Sequence, residues 1–324
     1  MKAFRNRFKE FAPLILMFFI LFFSGLISCK NESKRTNNDL VVENVEKEYV
    51  VEIITETMDF QMSDTLKSGW ITFHYKNQSP QTHFFLVEKY PEGKTLQDAK
   101  NSVIPHFSNG MRLINEGESE KAMAEFGKLP EWYGKVEFLG GSGLISPGKT
   151  AETMIKLEPG YYLMECYVKM SNGEFHTAMG MIRDFVVSDT ESGNEKPNAD
   201  IHIDISSTEG IVFNDSIHSG PQTFSVFFKD QIVHEHFVGH DVNLVKLDKN
   251  ANLKELENWM NWSDPKGLIE PAPTGVTFLG GVNDMPTGNT GYFTAALAAG
   301  NYAFISEVPN ASSKNMLKTF VVLE

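Results

Sequence analysis

The chain has 324 residues, of which 41% are hydrophobic and 22% are charged. This ordinary globular composition excludes collagen-like, coiled-coil and wholly disordered proteins, and the length predicts two domains at roughly 100–200 residues each. The formal net charge of −13 repels phosphate backbones, so we expect no nucleic-acid partner, and two cysteines are too few for a disulfide framework.

The N-terminus has the pattern of a secretory signal, because basic residues precede an apolar run from Leu14 to Phe23 and small residues follow it. The segment Leu26-Ile27-Ser28-Cys29 resembles a bacterial lipobox, where a signal peptidase cuts before an acylated cysteine. The resemblance implies a signal peptide over residues 1–28 and a lipid anchor on Cys29. Lys30 resembles the sorting position of outer-membrane lipoproteins. We therefore expect an exported protein held to the lipid bilayer of the bacterial cell envelope, with an uncleaved N-terminal anchor as the alternative.

Two polar stretches then divide the chain. Residues 29–48 contain too few apolar side chains to pack and predict a flexible tether, and residues 189–199 predict a linker of similar composition. The sequence thus predicts one domain over residues 49–188 and a second over residues 200–324.

The two blocks resemble each other. The sequence Val136-Glu137-Phe138-Leu139-Gly140-Gly141 recurs 140 residues later as Val276-Thr277-Phe278-Leu279-Gly280-Gly281. Phe185-Val186-Val187 recurs as Phe320-Val321-Val322 after only 135 residues, so the second block lacks five residues between these points. This period is too long for a solenoid and predicts a tandem repeat of domains.

Within each block the apolar pattern has a period of two, as in Trp70 to Tyr75, and β-branched and aromatic residues are frequent. Pro, Gly and Asn mark turns between these runs, a spacing typical of a Greek-key β-sandwich. Residues Thr95 to Gly134 and Asn252 to Asn261 have helical spacing instead. The predicted fold class is therefore all-β, with two sandwiches in tandem and a short helical insertion in each.

The first block contains a set of metal-ligating residues. Cys166 ends a predicted strand, His176 and Met181 follow it, and His83 lies upstream after the turn that begins at Asn77. One thiolate, two imidazoles and a thioether are the ligand set of a blue-copper site.

With these residues the chain resembles the cupredoxin family, in which a Cys…His…Met loop joins the last two strands of an eight-stranded Greek-key sandwich. The resemblance implies that His83, Cys166, His176 and Met181 bind one copper ion and that Asn77 braces the loop of Cys166. The long Cys166-to-His176 interval is more like that of copper nitrite reductases, which also have two cupredoxin domains.

Other interpretations of Cys166 stay open at this stage. A strict hairpin at Asn172-Gly173 would pair Cys166 with Met179 and separate Cys166 from His176 by about 10 Å, so copper binding requires an irregular loop. Met179 is the second candidate for the axial ligand. Cys166 could also be a buried residue without a metal, or a nucleophile paired with histidine, although no third orienting residue is evident.

The second block does not repeat the ligand set, because Cys166 aligns with Ser306 and the missing residues include the counterpart of His176. We expect no blue-copper centre there. His234, His236 and His240 form a candidate second metal site, and either His236 or His240 is the relic of an ancestral ligand.

These features predict copper binding for one-electron transfer, with a redox partner protein, or for copper handling in the cell envelope. Glu165 stands where multicopper enzymes place a bridging histidine, so the sequence favours a protein that is not an enzyme. The alternative is a metal-free scaffold lipoprotein that uses its helical insertions as a contact surface.

Overall fold

Alternating buried and exposed side chains make β-strands the main element of the structure, a computed structural model that describes residues 48–213, 216–234 and 238–324. In the first strand Val51, Ile53 and Thr55 are buried, as expected for one face of a sheet. The predicted signal peptide, nearly all of the tether, Cys29 and His236 lie outside the described residues. The strands are β1 Val50–Thr55, β2 Thr65–Asn77, β3 Leu86–Lys89, β4 Glu137–Gly141, β5 Thr150–Leu157, β6 Gly160–Glu165, β7 Ile182–Glu191, β8 Ile201–Ser206, β9 Gly210–Val212, β10 Gly220–Phe228, β11 Val242–Leu247, β12 Val276–Val282, β13 Thr290–Leu297, β14 Gly300–Ile305 and β15 Leu317–Val322.

Helices occupy the two places where the sequence pattern changes. Thr95 forms a capping box with Asp98 at the start of the first helix, and Asn252 accepts backbone hydrogen bonds at the start of the fourth. None of the described helices is long and apolar enough to cross a membrane. The predicted all-β sandwich class with a helical insertion in each half is confirmed. The helices are α1 Leu96–Ser102, α2 Ile104–Asn115, α3 Ser119–Phe126 and α4 Leu253–Met260, with 3₁₀ turns at Glu131–Lys135 and Ala311–Lys314.

Strands pair in the same order in both halves. In the first half β1 pairs with β2 in parallel, β2 with β5 antiparallel, β3 lies between β4 and β6, and β6 pairs with β7. In the second half β8 pairs with β10 in parallel, β10 with β13 antiparallel, β11 lies between β12 and β14, and β14 pairs with β15. Equivalent strands can therefore be compared residue by residue.

The two halves share backbone hydrogen bonds. Strands β5 and β13 pair with each other, so strands of both halves belong to one sheet of eleven strands among the described residues. The Gly140 N–H donates to the Asp284 carbonyl at 2.7 Å, and the Gly280 N–H donates to the Leu144 carbonyl at 2.8 Å. The two donors, Gly140 and Gly280, are 140 residues apart, and so are the two acceptors, Leu144 and Asp284. The two bonds are therefore equivalent under the repeat. The predicted domain limits themselves stay a prediction.

Candidate metal centre

Cys166 lies directly after β6, where the pairing of β6 with β7 fixes the backbone. Glu165 pairs with Ile182, and the Cys166 N–H donates to the Met181 carbonyl at 3.2 Å. The Cys166 side chain belongs to the hydrophobic core and is fully buried. The thiol therefore has a fixed position inside the first half.

His83 lies between β2 and β3 on a segment that Asn77 holds. The Asn77 amide donates to the carbonyls of Gln81 and Ile145, both at 2.8 Å, and its oxygen accepts from the Ser79 N–H at 3.1 Å. The His83 backbone pairs with Ile145 in both directions, at 3.1 and 2.7 Å. The resemblance implied that Asn77 braces the cysteine loop, but its hydrogen bonds hold the histidine segment instead, because β2 runs directly into that segment.

The loop after Cys166 is irregular. The Met170 carbonyl accepts a hydrogen bond from the Gly173 N–H, and the Met170 N–H donates to the Glu174 carbonyl. Three residues lie between the paired residues Met170 and Glu174, so the strict two-residue hairpin does not form. After the bond from the His176 N–H to Val168, the chain coils, and the Met181 N–H donates back to the His176 carbonyl at 2.9 Å. The turn and the bond to Val168 bring His176 back beside Cys166, and the coil leads the chain on to β7.

Three donor atoms converge inside the protein. The Cys166 Sγ lies 3.8 Å from His83 Nδ1 and 3.7 Å from His176 Nδ1, and the two Nδ1 atoms are 3.1 Å apart. All three side chains are fully buried. With bonds of roughly 2.0 Å to nitrogen and 2.3 Å to sulfur, a single metal ion fits between atoms at these separations.

Burial sets the protonation of these groups. Burial lowers the pKa of His176 to about 4, and burial together with the neighbouring His176 lowers the pKa of His83 to about 3. Burial also raises the pKa of the Cys166 thiol well above its ordinary range, although backbone N–H groups of Phe84 and Val168 oppose this. The imidazoles are therefore neutral and ready to bind a metal, whereas the thiol must lose a proton to do so.

The two methionine candidates have different environments. Met181 is fully buried in the same core as Cys166, whereas 53% of the Met179 surface is exposed. The coil that follows His176 turns Met179 outward. Of the two, Met181 is the residue on the inner side of the loop.

The structure also brings polar side chains beside the ligand candidates, and of these the sequence had indicated only Glu165. The Thr177 hydroxyl lies 2.9 Å from the Cys166 carbonyl and 3.1 Å from a Glu165 carboxylate oxygen. Burial raises the pKa of Glu165 to about 7, and burial together with the neighbouring Glu165 also raises the pKa of Glu88. Thr177 directly follows His176 in the sequence, and Glu165 directly precedes Cys166. Nothing in the sequence indicated Glu88, because it lies on another strand, β3.

The second half keeps the backbone of the site. The Ser306 N–H donates to the Met316 carbonyl at 3.0 Å, as Cys166 does to Met181. The Ser306 hydroxyl donates to the buried Asp241 carboxylate at 2.6 Å. A serine hydroxyl with a carboxylate acceptor thus replaces the thiol.

His240 is the counterpart of His83. Leu86 pairs with Gly141 and Asn243 with Gly281, and each histidine lies three residues before the paired residue of its strand. The structure therefore selects His240 over His236 as the relic position.

Two of the three histidines proposed as a second metal site come together. His234 Nε2 and His240 Nε2 are 3.0 Å apart. In the part of the chain that the structure describes, His83, Cys166 and His176 are the one group of three His, Cys, Asp or Glu residues compact enough for a metal ion. The described residues thus contain only one complete set of three donors.

No protein-family model and no curated protein matches the chain. Among solved structures, it is similar to auracyanin A, a "blue" copper protein from Chloroflexus aurantiacus, with 22% identity and a TM-score of 0.26 over 43% of this chain and 98% of that one. It is also similar to reduced auracyanin from Roseiflexus castenholzii, with 19% identity and a TM-score of 0.27 over 44% and 98% of the two chains. A copper nitrite reductase from Nitrosomonas europaea covers more of it, 86% of this chain and 94% of its own, with 12% identity and a TM-score of 0.22. These values are too low to assign a function, so the metal assignment rests on side-chain geometry.

Proposed function

We propose that the protein binds one copper ion through His83, Cys166 and His176, with Met181 as a weak fourth ligand, and that it transfers single electrons. The observation that carries this proposal is the convergence of one thiol and two imidazole Nδ1 atoms, separated by 3.1 to 3.8 Å, in a fully buried place. Bound copper would supply a centre that alternates between two oxidation states.

The donor set favours copper over zinc. A structural zinc site is closed by four strong ligands, and methionine is seldom one of them. Thiolate and thioether are soft ligands that suit copper, and two histidines with one cysteine in a plane are typical of electron-transfer copper sites. Met181 would supply the thioether, because it is buried in the same core and its carbonyl accepts a hydrogen bond from the Cys166 N–H.

Burial favours electron transfer over copper delivery in this proposal. A protein that delivers copper must expose its ligands to an acceptor, whereas His83, Cys166 and His176 are inaccessible to solvent. Asn77 and the β6–β7 pairing also hold the ligand segments through hydrogen bonds that do not involve a metal. A site that does not rearrange when its charge changes suits electron transfer, so copper is proposed as a resident cofactor.

Copper titration tests this function. One equivalent of Cu(II) should produce an intense visible absorption band, ascorbate should bleach it by giving one electron per copper, and air should restore it. Cys166→Ser should show neither the band nor tight binding, while Ser306→Ala, at the equivalent position of the second half, should retain both. A colourless wild-type protein that binds no stoichiometric copper would leave the metal-free scaffold as the function.

We further propose that the mature protein begins at an acylated Cys29 and is held to the cell envelope, with a redox partner at the same membrane. This proposal rests on the lipobox-like segment and on the basic and apolar residues before it. Mass spectrometry of the protein from membranes should find a diacylglyceryl cysteine at the new N-terminus. Cys29→Ser should release the protein from the membrane fraction without changing the visible band, and acylation elsewhere would contradict the proposal.

A further inference from the structure

We infer that the second half of the chain positions the copper ligands of the first, with Glu270 as the main positioning residue. Residues 264–270, the clamp segment, lie between α4 and β12 and contact both segments that supply a histidine ligand. The inference rests on the proposed function, because it concerns the same copper site. It gives the half that lacks the ligand set a role in that site.

The clamp segment holds the His83 segment through a buried carboxyl group. The Thr82 N–H donates to Glu270 Oε1 at 2.7 Å, and both residues are buried. Thr82 directly precedes His83, whose own backbone pairs with Ile145. A buried N–H that loses its acceptor is costly, so the bond to Glu270 restricts where the His83 segment can lie.

The clamp segment also holds the loop that brings His176 back. The Lys169 N–H donates to the Leu268 carbonyl at 2.8 Å, and the Lys169 carbonyl accepts from the Glu270 N–H at 2.9 Å. The residue before Lys169 is Val168, whose carbonyl accepts from the His176 N–H. The loop is therefore joined to the second half directly beside the bond that places His176.

The Lys169 side chain strengthens this attachment. Its ammonium donates to three backbone carbonyls of the clamp segment at 2.9, 3.3 and 3.5 Å, which belong to Gly267, Asp264 and Pro265. Only 1% of the Lys169 surface is exposed. A buried ammonium without acceptors is costly, so Lys169 keeps this place only while the clamp segment surrounds it.

The clamp segment is itself fixed by α4. The Leu268 N–H donates to the Trp259 carbonyl at 2.7 Å, and the Trp259 indole N–H donates to the Ile269 carbonyl at 2.6 Å. Leu268 is fully buried and has a φ of 52°, a conformation that a residue with a bulky side chain adopts only where its surroundings hold it. A segment held in this way can fix the loops that contact it.

Glu270 therefore acts on the copper site through the neighbours of the ligands. It accepts from Thr82, beside His83, and donates its N–H to Lys169, inside the loop of His176. Residues that orient metal ligands typically change metal affinity by 10–100-fold. A residue that only stabilised the fold would leave the visible band of bound copper unchanged.

Substitution of Glu270 tests the inference. Glu270→Ala leaves the Thr82 N–H without its acceptor, so we expect about tenfold weaker Cu(II) binding and a shifted visible band. Glu270→Gln keeps an acceptor oxygen and should restore both. Titration followed by visible absorption measures affinity and band together. A folded Glu270→Ala protein with unchanged affinity and band would overturn the inference, as would a folded Glu270→Gln protein that is equally impaired.

Glu257→Ala is the matched control. Glu257 is buried on α4, outside the clamp segment, and accepts from the Ser312 N–H at 2.8 Å, so its loss also leaves a backbone donor without an acceptor. This variant should be less stable than the wild type but should keep its copper affinity and visible band. Changes equal to those of Glu270→Ala would reflect general destabilisation and contradict the inference.

The wild-type protein separates the two possible failures. A colourless wild type overturns the proposed function and this inference with it, whereas a coloured wild type with an unaffected Glu270→Ala variant overturns only the inference. Thermal melts identify a variant that does not fold, and hydrogen exchange of the wild type then decides. Coupling between two sites is reciprocal, so copper binding should slow amide exchange in residues 264–270 and leave β8 unchanged. Unchanged exchange in residues 264–270 would overturn the inference.

Discussion

The loops that follow Cys166 and Ser306 begin and end in the same way but differ in content. In each, the first residue donates its N–H to the carbonyl of a buried methionine, Met181 at 3.2 Å or Met316 at 3.0 Å. The first loop is five residues longer, and it contains the turn that brings His176 back beside Cys166 and the coil that follows His176. The β-strand framework alone therefore does not specify a metal site; the length of one loop does.

In the second half, hydrogen bonds to a buried carboxyl group stabilise the region that corresponds to the metal centre. Asp241 accepts hydrogen bonds from the Ser306 hydroxyl at 2.6 Å and from the Glu307 N–H at 2.7 Å, and Asn243 also donates to it. The pKa of Asp241 is raised by burial to about 6. A hydrogen-bonded carboxyl thus lies where the first half has space for a metal, which explains why the two halves keep the same fold without the same ligands.

The largest expected effect comes from removing the histidine that only the first loop supplies. His176→Ala should weaken Cu(II) binding more than about 100-fold, because loss of a ligand costs more than the 10–100-fold typical of residues that only orient ligands. Titration followed by visible absorption measures this. Added imidazole should restore part of the band by filling the space left by the side chain. His240→Ala removes a histidine of the second half and should leave copper affinity unchanged; an equal loss there would contradict the comparison.

Acid should weaken copper binding at the first site. The Cys166 pKa is raised by burial and those of His83 and His176 are lowered to about 3 and about 4, so only the thiol releases a proton on binding above about pH 5. Each proton competes with the metal, and the apparent affinity should fall about tenfold per pH unit between about pH 8 and about pH 5. Competition with a chelator of known affinity measures the slope. A slope of two or more would show that an imidazole is also protonated.

A smaller effect is expected from the residue that holds the His83 segment. Asn77→Ala removes hydrogen bonds to Gln81, Ser79 and Ile145, so we expect a loss of about 2–3 kcal/mol in the free energy of unfolding and about tenfold weaker copper binding. Urea unfolding of the copper-free protein measures the change in the free energy of unfolding, and copper titration measures the change in affinity. If stability falls while copper affinity and the visible band are unchanged, Asn77 is structural and does not position His83.

The smallest expected effect on copper comes from restoring the missing cysteine. Ser306→Cys should bind no second copper ion with an intense visible band, because no counterpart of His176 is present in the shorter loop. It should lower the free energy of unfolding by about 1–3 kcal/mol, since Asp241 loses a strong donor. Metal analysis and urea unfolding measure these outcomes. Two blue centres per chain would disprove the dependence on loop length.

Local patterns in the sequence were sufficient for much of the fold. The alternation over Trp70 to Tyr75 predicted a strand, and it lies within β2, where Ile71, Phe73 and Tyr75 are buried. Helical spacing located the insertions: the first runs from α1 to the 3₁₀ turn at Glu131–Lys135, and the second is α4. The repeated Phe-Leu-Gly-Gly segments marked equivalent strands, which β4 and β12 occupy. These features depend on neighbours along the chain, so a single sequence contains them.

The sequence by itself determined which residue types could bind a metal and in what order they occur, because the identities and the spacing of His83, Cys166 and His176 are properties of the sequence. Only the tertiary structure decided that their donor atoms meet, that Asn77 holds the histidine segment, and that Glu270 of the second half accepts a hydrogen bond beside His83. These outcomes depend on a coiled loop, on a register between distant strands and on contacts between the two halves. Each is a balance of packing over long sequence separations, which no local pattern encodes.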